Sequence, residues 1–142
     1  MKKLLLICLA AFAAASCTQE KQQSKPLYMW FDCEGNYATL SHPDSIRYYV
    51  SKIHDMGFTD VVVDVKSIMG ETLYKSDIAP YMGEWDGVTR PENYDLLGYF
   101  IEEGHKLGMR VHGSLNVFAG GHNFFDRGII YGDHADWQSQ VY

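Results

Sequence analysis

Three short apolar runs alternate with two amphipathic segments between residues 27 and 117, and this order restricts the fold more than any other feature. The apolar runs cover residues 27–33, 59–66 and 109–117, and each has the length of a β-strand. Strands separated by helices pair in parallel through right-handed crossovers. The sequence therefore predicts the α/β class, with a β-α-β-α-β unit built around a parallel sheet.

Both amphipathic segments carry helix start and stop signals. The first predicted helix covers 41–57, with Ser41 as the candidate N-cap and Gly57 as the stop. The second covers 95–107 and is followed by Gly108. Apolar residues expected to share one face are Ile46, Tyr49, Val50, Ile53 and Met56 in the first helix, and Leu97, Phe100, Ile101 and Gly104 in the second. Residues 67–93 are predicted to form a long loop.

Polar residues stand at the far end of each predicted strand. In the second strand, alternation puts Asp64 and Lys66 on the face opposite Val61, Val63 and Val65. The corresponding residues of the other strands are Asp32 and Glu34 in the first, and His112, Ser114 and Asn116 in the third. Parallel strands end at one edge, where α/β folds bind ligands, so we expect these residues to converge on one rim. The alternative for Asp64 and Lys66 is a structural ion pair with each other.

Two longer segments resemble a known family. "GFTDVVVDVKSIMGETLYKS" and "YDLLGYFIEEGHKLGMRVHGSLNV" are similar to the N-terminal part of the glycosyl hydrolase-like 10 family, exported bacterial proteins related to glycoside hydrolases. The resemblance covers residues 28–117 and is strongest at 70–76 and 103–106. It implies the N-terminal portion of a (β/α)8 TIM barrel. A complete barrel needs roughly 250 residues, so the chain is expected to be the front third of a larger enzyme.

The resemblance implies an exported glycoside hydrolase acting on a polysaccharide, with no cofactor. Glycoside hydrolysis uses two carboxyl groups, which many barrel glycosidases carry after later strands. The main catalytic acids are therefore expected beyond Tyr142, with Asp64 and Glu71 as secondary candidates. This part of the chain would supply substrate-binding rim residues, predicted to be Asp32, Glu34, Asp64, Lys66, Tyr74, Trp85, His112 and Asn116.

Aromatic residues are frequent in the predicted rim loops. They are Tyr74, Tyr81 and Trp85 after the second strand, and Phe124, Phe125, Tyr131 and Trp137 after the third. Sugar rings have apolar faces that stack on such side chains, whereas the alternative for each aromatic residue is packing within its own loop. Tyr74 and Trp85 are the preferred sugar contacts.

Two other functions stay open. A non-catalytic, lipid-anchored carbohydrate-binding protein would use the same rim without turnover. A metal-dependent hydrolase is suggested by the late histidines and acids, which are His112, His122, Asp133, His134 and Asp136. Their spacing matches no compact metal-binding motif, so no metal site is assigned. The formal net charge of -6 argues against a nucleic-acid partner.

The first 25 residues predict export. Residues 1–16 read as a signal peptide, with Lys2 and Lys3 ahead of a short apolar run and small residues. The stretch "AASC" resembles a bacterial lipoprotein processing site, which implies that Cys17 is lipidated; ordinary signal-peptidase cleavage is the alternative. Residues 17–25 would be the lipidated cysteine and a polar tether, followed by the barrel portion at 26–142. The predicted location is the bacterial cell envelope, with anchoring to a membrane through Cys17.

One cysteine remains in the body of the chain. Because Cys8 lies inside the signal peptide and Cys17 at its end, Cys33 has no intramolecular disulfide partner. We expect Cys33 to be a small buried hydrophobic residue beside the first strand.

Overall fold

The structure is a computed structural model and describes residues 25–139. The predicted signal peptide, the lipidation site Cys17 and the tether up to residue 24 lie outside the described residues. The strands are β1 (Tyr28–Phe31), β2 (Asp60–Lys66), β3 (Glu84–Trp85), β4 (Val88–Thr89) and β5 (Arg110–Leu115). The helices are α1 (Pro43–Asp55), α2 (Leu96–Lys106) and the short α3 (Ile129–Gly132), with 3-10 turns at Thr39–Ser41 and Ala135–Trp137.

The main sheet has three parallel strands in the order β1-β2-β5. Helix α1 connects β1 to β2, and α2 precedes β5, so the predicted α/β class and the β-α-β-α-β order are confirmed. Register aligns Trp30 of β1 with Val62 of β2, and Val62 with His112 of β5.

The two faces of the sheet differ as strand alternation predicts. Val61, Val63 and Val65 are at most 2% exposed and share one core with the buried residues of α1 and α2. The opposite face, called the open face here, carries Tyr28, Trp30, Val62, Asp64, His112 and Ser114. Tyr28 and Trp30 are 54% and 60% exposed, so this face presents aromatic surface to solvent.

Helix α1 differs from its prediction at its start and along one flank. It begins at Pro43 with His42 at the N-cap position, so the prediction of Ser41 as N-cap is wrong. The Ser41 hydroxyl instead donates to the carbonyl of Tyr37 and accepts from Arg90. Ile46, Val50 and Ile53 are buried, whereas Tyr49 and Met56 are exposed because they lie on one flank of that stripe.

Helix α2 also buries a slightly different face from the one predicted. Asp95 is its N-cap and accepts a hydrogen bond from the Gly98 amide at 2.9 Å. Phe100 and Gly104 are buried as expected, but Ile101 is exposed and Glu103 is buried. Glu103 tolerates burial because Lys106 and Arg47 both contact its carboxylate.

Both long helices end in the same way. Gly57 and Gly108 have φ angles of 92° and 70°, in the left-handed region that glycine favours. The amide after each glycine donates to the carbonyl of the third residue from the end of its helix, Phe58 to Ile53 and Met109 to Gly104. These two glycines thus turn the chain directly into β2 and β5. Within residues 25–139, no helix is long and apolar enough to cross a membrane.

The segment 67–93, predicted as a loop, contains the antiparallel hairpin of β3 and β4. Asp86 and Gly87 form its two-residue turn with φ angles of 49° and 76°, which is the Asp-Gly signature of a tight hairpin. Arg90 holds the segment in place: its guanidinium lies 3.6 Å from the centre of the Tyr37 ring and donates to the Tyr37 carbonyl. The loop is therefore packed against the body of the protein.

Candidate functional site

Carboxyl groups from two neighbouring strand ends converge on one edge of the sheet. The Glu34 carboxylate, after β1, accepts a hydrogen bond from the Ile68 amide, after β2, at 3.0 Å. Partial burial raises the pKa of Glu34, and the negative charges of Asp32, Asp64 and Glu71 raise it further. The predicted convergence of acids from β1 and β2 is thus present. The Glu34 carboxyl group is therefore easier to protonate than that of an exposed glutamate.

Asp32 shapes the turn that carries Glu34. One oxygen of its carboxylate accepts from the Gly35 amide at 2.9 Å, and its carbonyl accepts from the Asn36 side chain at 2.8 Å. A β-carbon at Gly35 would lie 2.5 Å from the other Asp32 oxygen, so a larger residue there would displace the Asp32 carboxylate. Asp32 is exposed and lies beside the acidic cluster.

Asp64 and Lys66 have different partners, so the alternative of an ion pair between them is wrong. Asp64 accepts a 3.0 Å hydrogen bond from the indole nitrogen of Trp30 on the open face. The Lys66 ammonium donates to the carbonyl oxygens of Asn116, at 2.6 Å, and of Ala119. Burial lowers the pKa of Lys66. Asp64 therefore faces solvent beside an aromatic ring, while Lys66 anchors the loop that follows β5.

Asn116 joins the same rim. Its side-chain amide donates to the Lys66 carbonyl at 3.3 Å, while its own carbonyl accepts from the Lys66 ammonium. Its exposed side chain lies where β5 ends, as predicted.

His112 lies elsewhere, and its predicted place on the rim is wrong. Its Nε2 is 2.8 Å from Oδ1 of Asp60, the first residue of β2, so the ring reaches toward the opposite end of the sheet. The register explains the difference, because His112 is aligned with Val62, two residues before Asp64. Arg110 contacts both carboxylate oxygens of Asp60 and holds the pKa of that buried carboxyl well below its usual range.

Glu71 is engaged in an ion pair with Arg127. The guanidinium contacts the two carboxylate oxygens at 2.8 and 2.7 Å, and the Glu71 side chain is only 12% exposed. Another nitrogen of Arg127 lies 3.7 Å from Glu84 on strand β3. This pair therefore ties the loop after β2 to the loop after β5.

The predicted aromatic contacts separate into packed and accessible ones. Tyr74 is half-buried against the core, and the Tyr81 hydroxyl donates to the Tyr94 carbonyl at 3.0 Å. Trp85 lies on the hairpin with its ring centre 5.0 Å from that of Phe125, which is 42% exposed. Of the two preferred sugar contacts, Trp85 therefore has the more suitable surroundings.

A cavity of about 400 Å³ opens beside Trp85. We call it the hairpin groove and define it by its lining residues, Glu84, Trp85, Asp86, Phe125 and Arg127. It combines two aromatic rings with charged groups, and its size is that of a small-ligand site.

The late histidines and acids do not assemble into a metal centre in the described part of the chain. Among residues 25–139, no three His, Cys, Asp or Glu side chains are grouped so as to hold a metal ion. His122 accepts from the Phe124 amide, and the His134 ring stacks on Trp137 at 4.2 Å.

Sequence reasoning missed two residues of this region. Trp30 has the same strand parity as Asp32, so alternation could have assigned it to the open face. Arg127 follows no periodic pattern, because it lies in an irregular loop. Its role emerges only when the loops after β2 and β5 meet.

No family model matches the chain. It is similar to an "S-layer-related protein" of Niallia circulans, with 28% identity over 124 residues. That alignment covers 83% of this chain and 8% of the other protein, so the chain spans a small fraction of the length of the relative it matches.

Proposed function

We propose that this chain is the N-terminal portion of a (β/α)8 barrel glycoside hydrolase of the bacterial cell envelope, and that its rim binds a polysaccharide. The main support is the meeting of Glu34, Asp64 and Trp30 at the carboxyl ends of adjacent parallel strands. Carboxylates bind sugar hydroxyls, and an exposed indole stacks on the apolar face of a sugar ring. The open face of the sheet would line the interior of the barrel.

Each group has a definite role in this proposal. Trp30 offers the stacking surface, and Asp64, oriented by the indole N–H, accepts hydrogen bonds from sugar hydroxyls. Glu34 accepts from the Ile68 amide with one carboxylate oxygen and bonds a sugar hydroxyl with the other. Lys66 and Asn116 position the loop after β5. The principal catalytic acids would follow later strands of the complete barrel.

A non-catalytic carbohydrate-binding protein is the second candidate. Glu71, one of the two acids considered for catalysis, is engaged in an ion pair with Arg127. Asp64, the other, already accepts from Trp30. These partners favour a binding role for this part of the rim, with any turnover depending on residues outside it.

A titration monitored by NMR tests the proposal. The three tryptophans, Trp30, Trp85 and Trp137, supply three indole N–H signals, and that of Trp30 reports directly on Asp64. Oligosaccharides to be added are N-acetylglucosamine pentamer, cellopentaose and maltopentaose. At least one should shift the Trp30 signal in a saturable way. If all three leave that signal unchanged up to millimolar concentration, the sugar-binding rim is contradicted.

The envelope location has its own test. The name of the Niallia circulans relative refers to the S-layer, and the lipoprotein-like "AASC" stretch implies a lipid on Cys17. Cys17→Ser should move the protein from the membrane fraction to the soluble fraction of a bacterial lysate. Unchanged membrane attachment would contradict lipid anchoring.

A further inference from the structure

We infer that the hairpin groove is a second sugar subsite, one that prefers an amine-bearing pyranose over its N-acetylated form. The subsite presupposes the proposed carbohydrate-binding function and adds a location and a sugar preference to it. Three properties of the groove support the assignment: a rigid frame, accessible aromatic rings and a local excess of negative charge.

The frame is rigid because both of its walls are fixed. One wall is the hairpin, whose Asp86-Gly87 turn holds Trp85 in place. The other wall is the loop after β5, which the Arg127–Glu71 ion pair ties to the segment after β2. A preformed groove binds a sugar without the entropic cost of ordering a loop.

The aromatic part of the groove centres on Phe125. Its ring lies 5.0 Å from Trp85, 5.1 Å from Phe124 and 5.3 Å from His122, with tilted or edge-on contacts. These neighbours fix the orientation of Phe125, and the ring is still 42% exposed. A held, accessible aromatic face is the surface on which the apolar side of a pyranose stacks.

The charges of the groove select among sugars. Glu84 and Asp86 are exposed at its edge, and Glu71 lies behind it, whereas Arg127 is the cation that contacts both glutamates. Because Arg127 is paired with the buried Glu71, the exposed carboxylates of Glu84 and Asp86 leave the groove with an excess of negative charge, which attracts an ammonium and repels an acidic sugar. An ammonium also interacts favourably with aromatic faces, so both features of the groove favour the same ligand.

The test compares glucosamine pentamer with N-acetylglucosamine pentamer. Glucosamine pentamer should shift the Trp85 indole signal and bind at least about threefold more tightly than the acetylated form. Phe125→Ala should weaken its binding about tenfold. Glu84→Gln keeps the oxygen that accepts from the Gly87 amide and should reduce the preference for the amine. Tyr48→Ala, at an exposed aromatic on α1, is the matched control and should change neither quantity.

The indole signals of Trp30 and Trp85 distinguish binding at the rim from binding in the hairpin groove. Saturable shifts of Trp30 without any shift of Trp85 would overturn the subsite and leave the rim proposal standing. No shift of either signal would overturn both. Equal binding of the two pentamers, or tighter binding of pentalysine than of glucosamine pentamer, would overturn the amino-sugar assignment. Because Phe125 is partly exposed, its replacement should preserve the fold, which the unchanged Trp137 signal would verify.

Discussion

The indole N–H of Trp30 donates a 3.0 Å hydrogen bond to Oδ2 of Asp64, joining β1 to β2 on the open face of the sheet. Trp30 is 60% exposed, so the pair is available to a ligand. Asp64 has no part in neutralising Lys66, whose ammonium is held by backbone carbonyls. A role for Asp64 in binding can therefore be separated from a role in folding.

Replacing Asp64 with alanine should affect binding far more than stability. The side chain is partly exposed, so its loss should lower the free energy of unfolding by less than about 1 kcal/mol. Loss of an oriented acceptor should weaken oligosaccharide binding about tenfold. Urea denaturation and isothermal calorimetry measure the two effects. Asp44→Ala, at an exposed acid of α1, is the control, and a parallel loss of stability and binding in Asp64→Ala would contradict the binding role.

Replacing Glu34 with glutamine should stabilise the protein at neutral pH. The pKa of Glu34 is raised in the folded state, so the protonated carboxyl group contributes to the free energy of unfolding below the ordinary pKa of 4.5. That contribution is lost as pH rises through the pKa of the folded protein. Glutamine removes this loss and retains the acceptor for the Ile68 amide. Urea denaturation from pH 4 to 8 should give a flatter profile for the variant. Glu92→Gln, at an exposed loop acid, should follow the wild-type profile; the same behaviour in Glu34→Gln would argue against the burial effect.

The Glu71–Arg127 pair should couple the two rim loops. A double-mutant cycle with Glu71→Gln and Arg127→Met should give single losses of about 1–3 kcal/mol and a coupling energy of about 1 kcal/mol or more. The exposed Asp44–Arg47 pair offers a matched cycle, for which coupling of about 0.5 kcal/mol or less is expected. Glu71→Gln and Arg127→Met should each also broaden the Trp85 indole signal, because the loop that forms one wall of the groove is no longer held by this ion pair. Equal coupling in the two cycles would mean that the loops are held by other contacts.

Alkaline pH should destabilise the protein partly through Cys33. Burial raises the pKa of its thiol to about 12, as the prediction of a buried hydrophobic residue implies. The neutral Cys33 thiol therefore makes its full contribution to the free energy of unfolding below the unfolded-state pKa near 9. This contribution falls by up to about 1.4 kcal/mol per pH unit as pH rises toward 12. Cys33→Ala should show a shallower decline between pH 9 and 11 in urea denaturation. Tyr37, whose pKa also rises to about 12, remains in both proteins, so only the difference reports on Cys33.

Features that depend on local backbone geometry can be predicted from the order of the residues alone. Alternation of side chains along β2 predicts that Val61, Val63 and Val65 enter the core while Asp64 lies on the other face, and the structure agrees. Gly57 and Gly108 likewise predict the helix ends, because glycine readily adopts the left-handed conformation that ends a helix, and both residues have it. Such features need no knowledge of distant residues.

The partner of each polar side chain depends on how distant segments pack together. His112 reaches Asp60, Glu71 is held by Arg127, and Ser41 bonds with Tyr37 and Arg90 where an N-cap was expected. Each of these contacts joins segments whose relative position depends on strand register or on loop packing. A long side chain can select among several nearby partners, and strand parity fixes its face without fixing that choice. For this reason the position of the rim could be predicted from the sequence, whereas the hairpin groove required the folded chain.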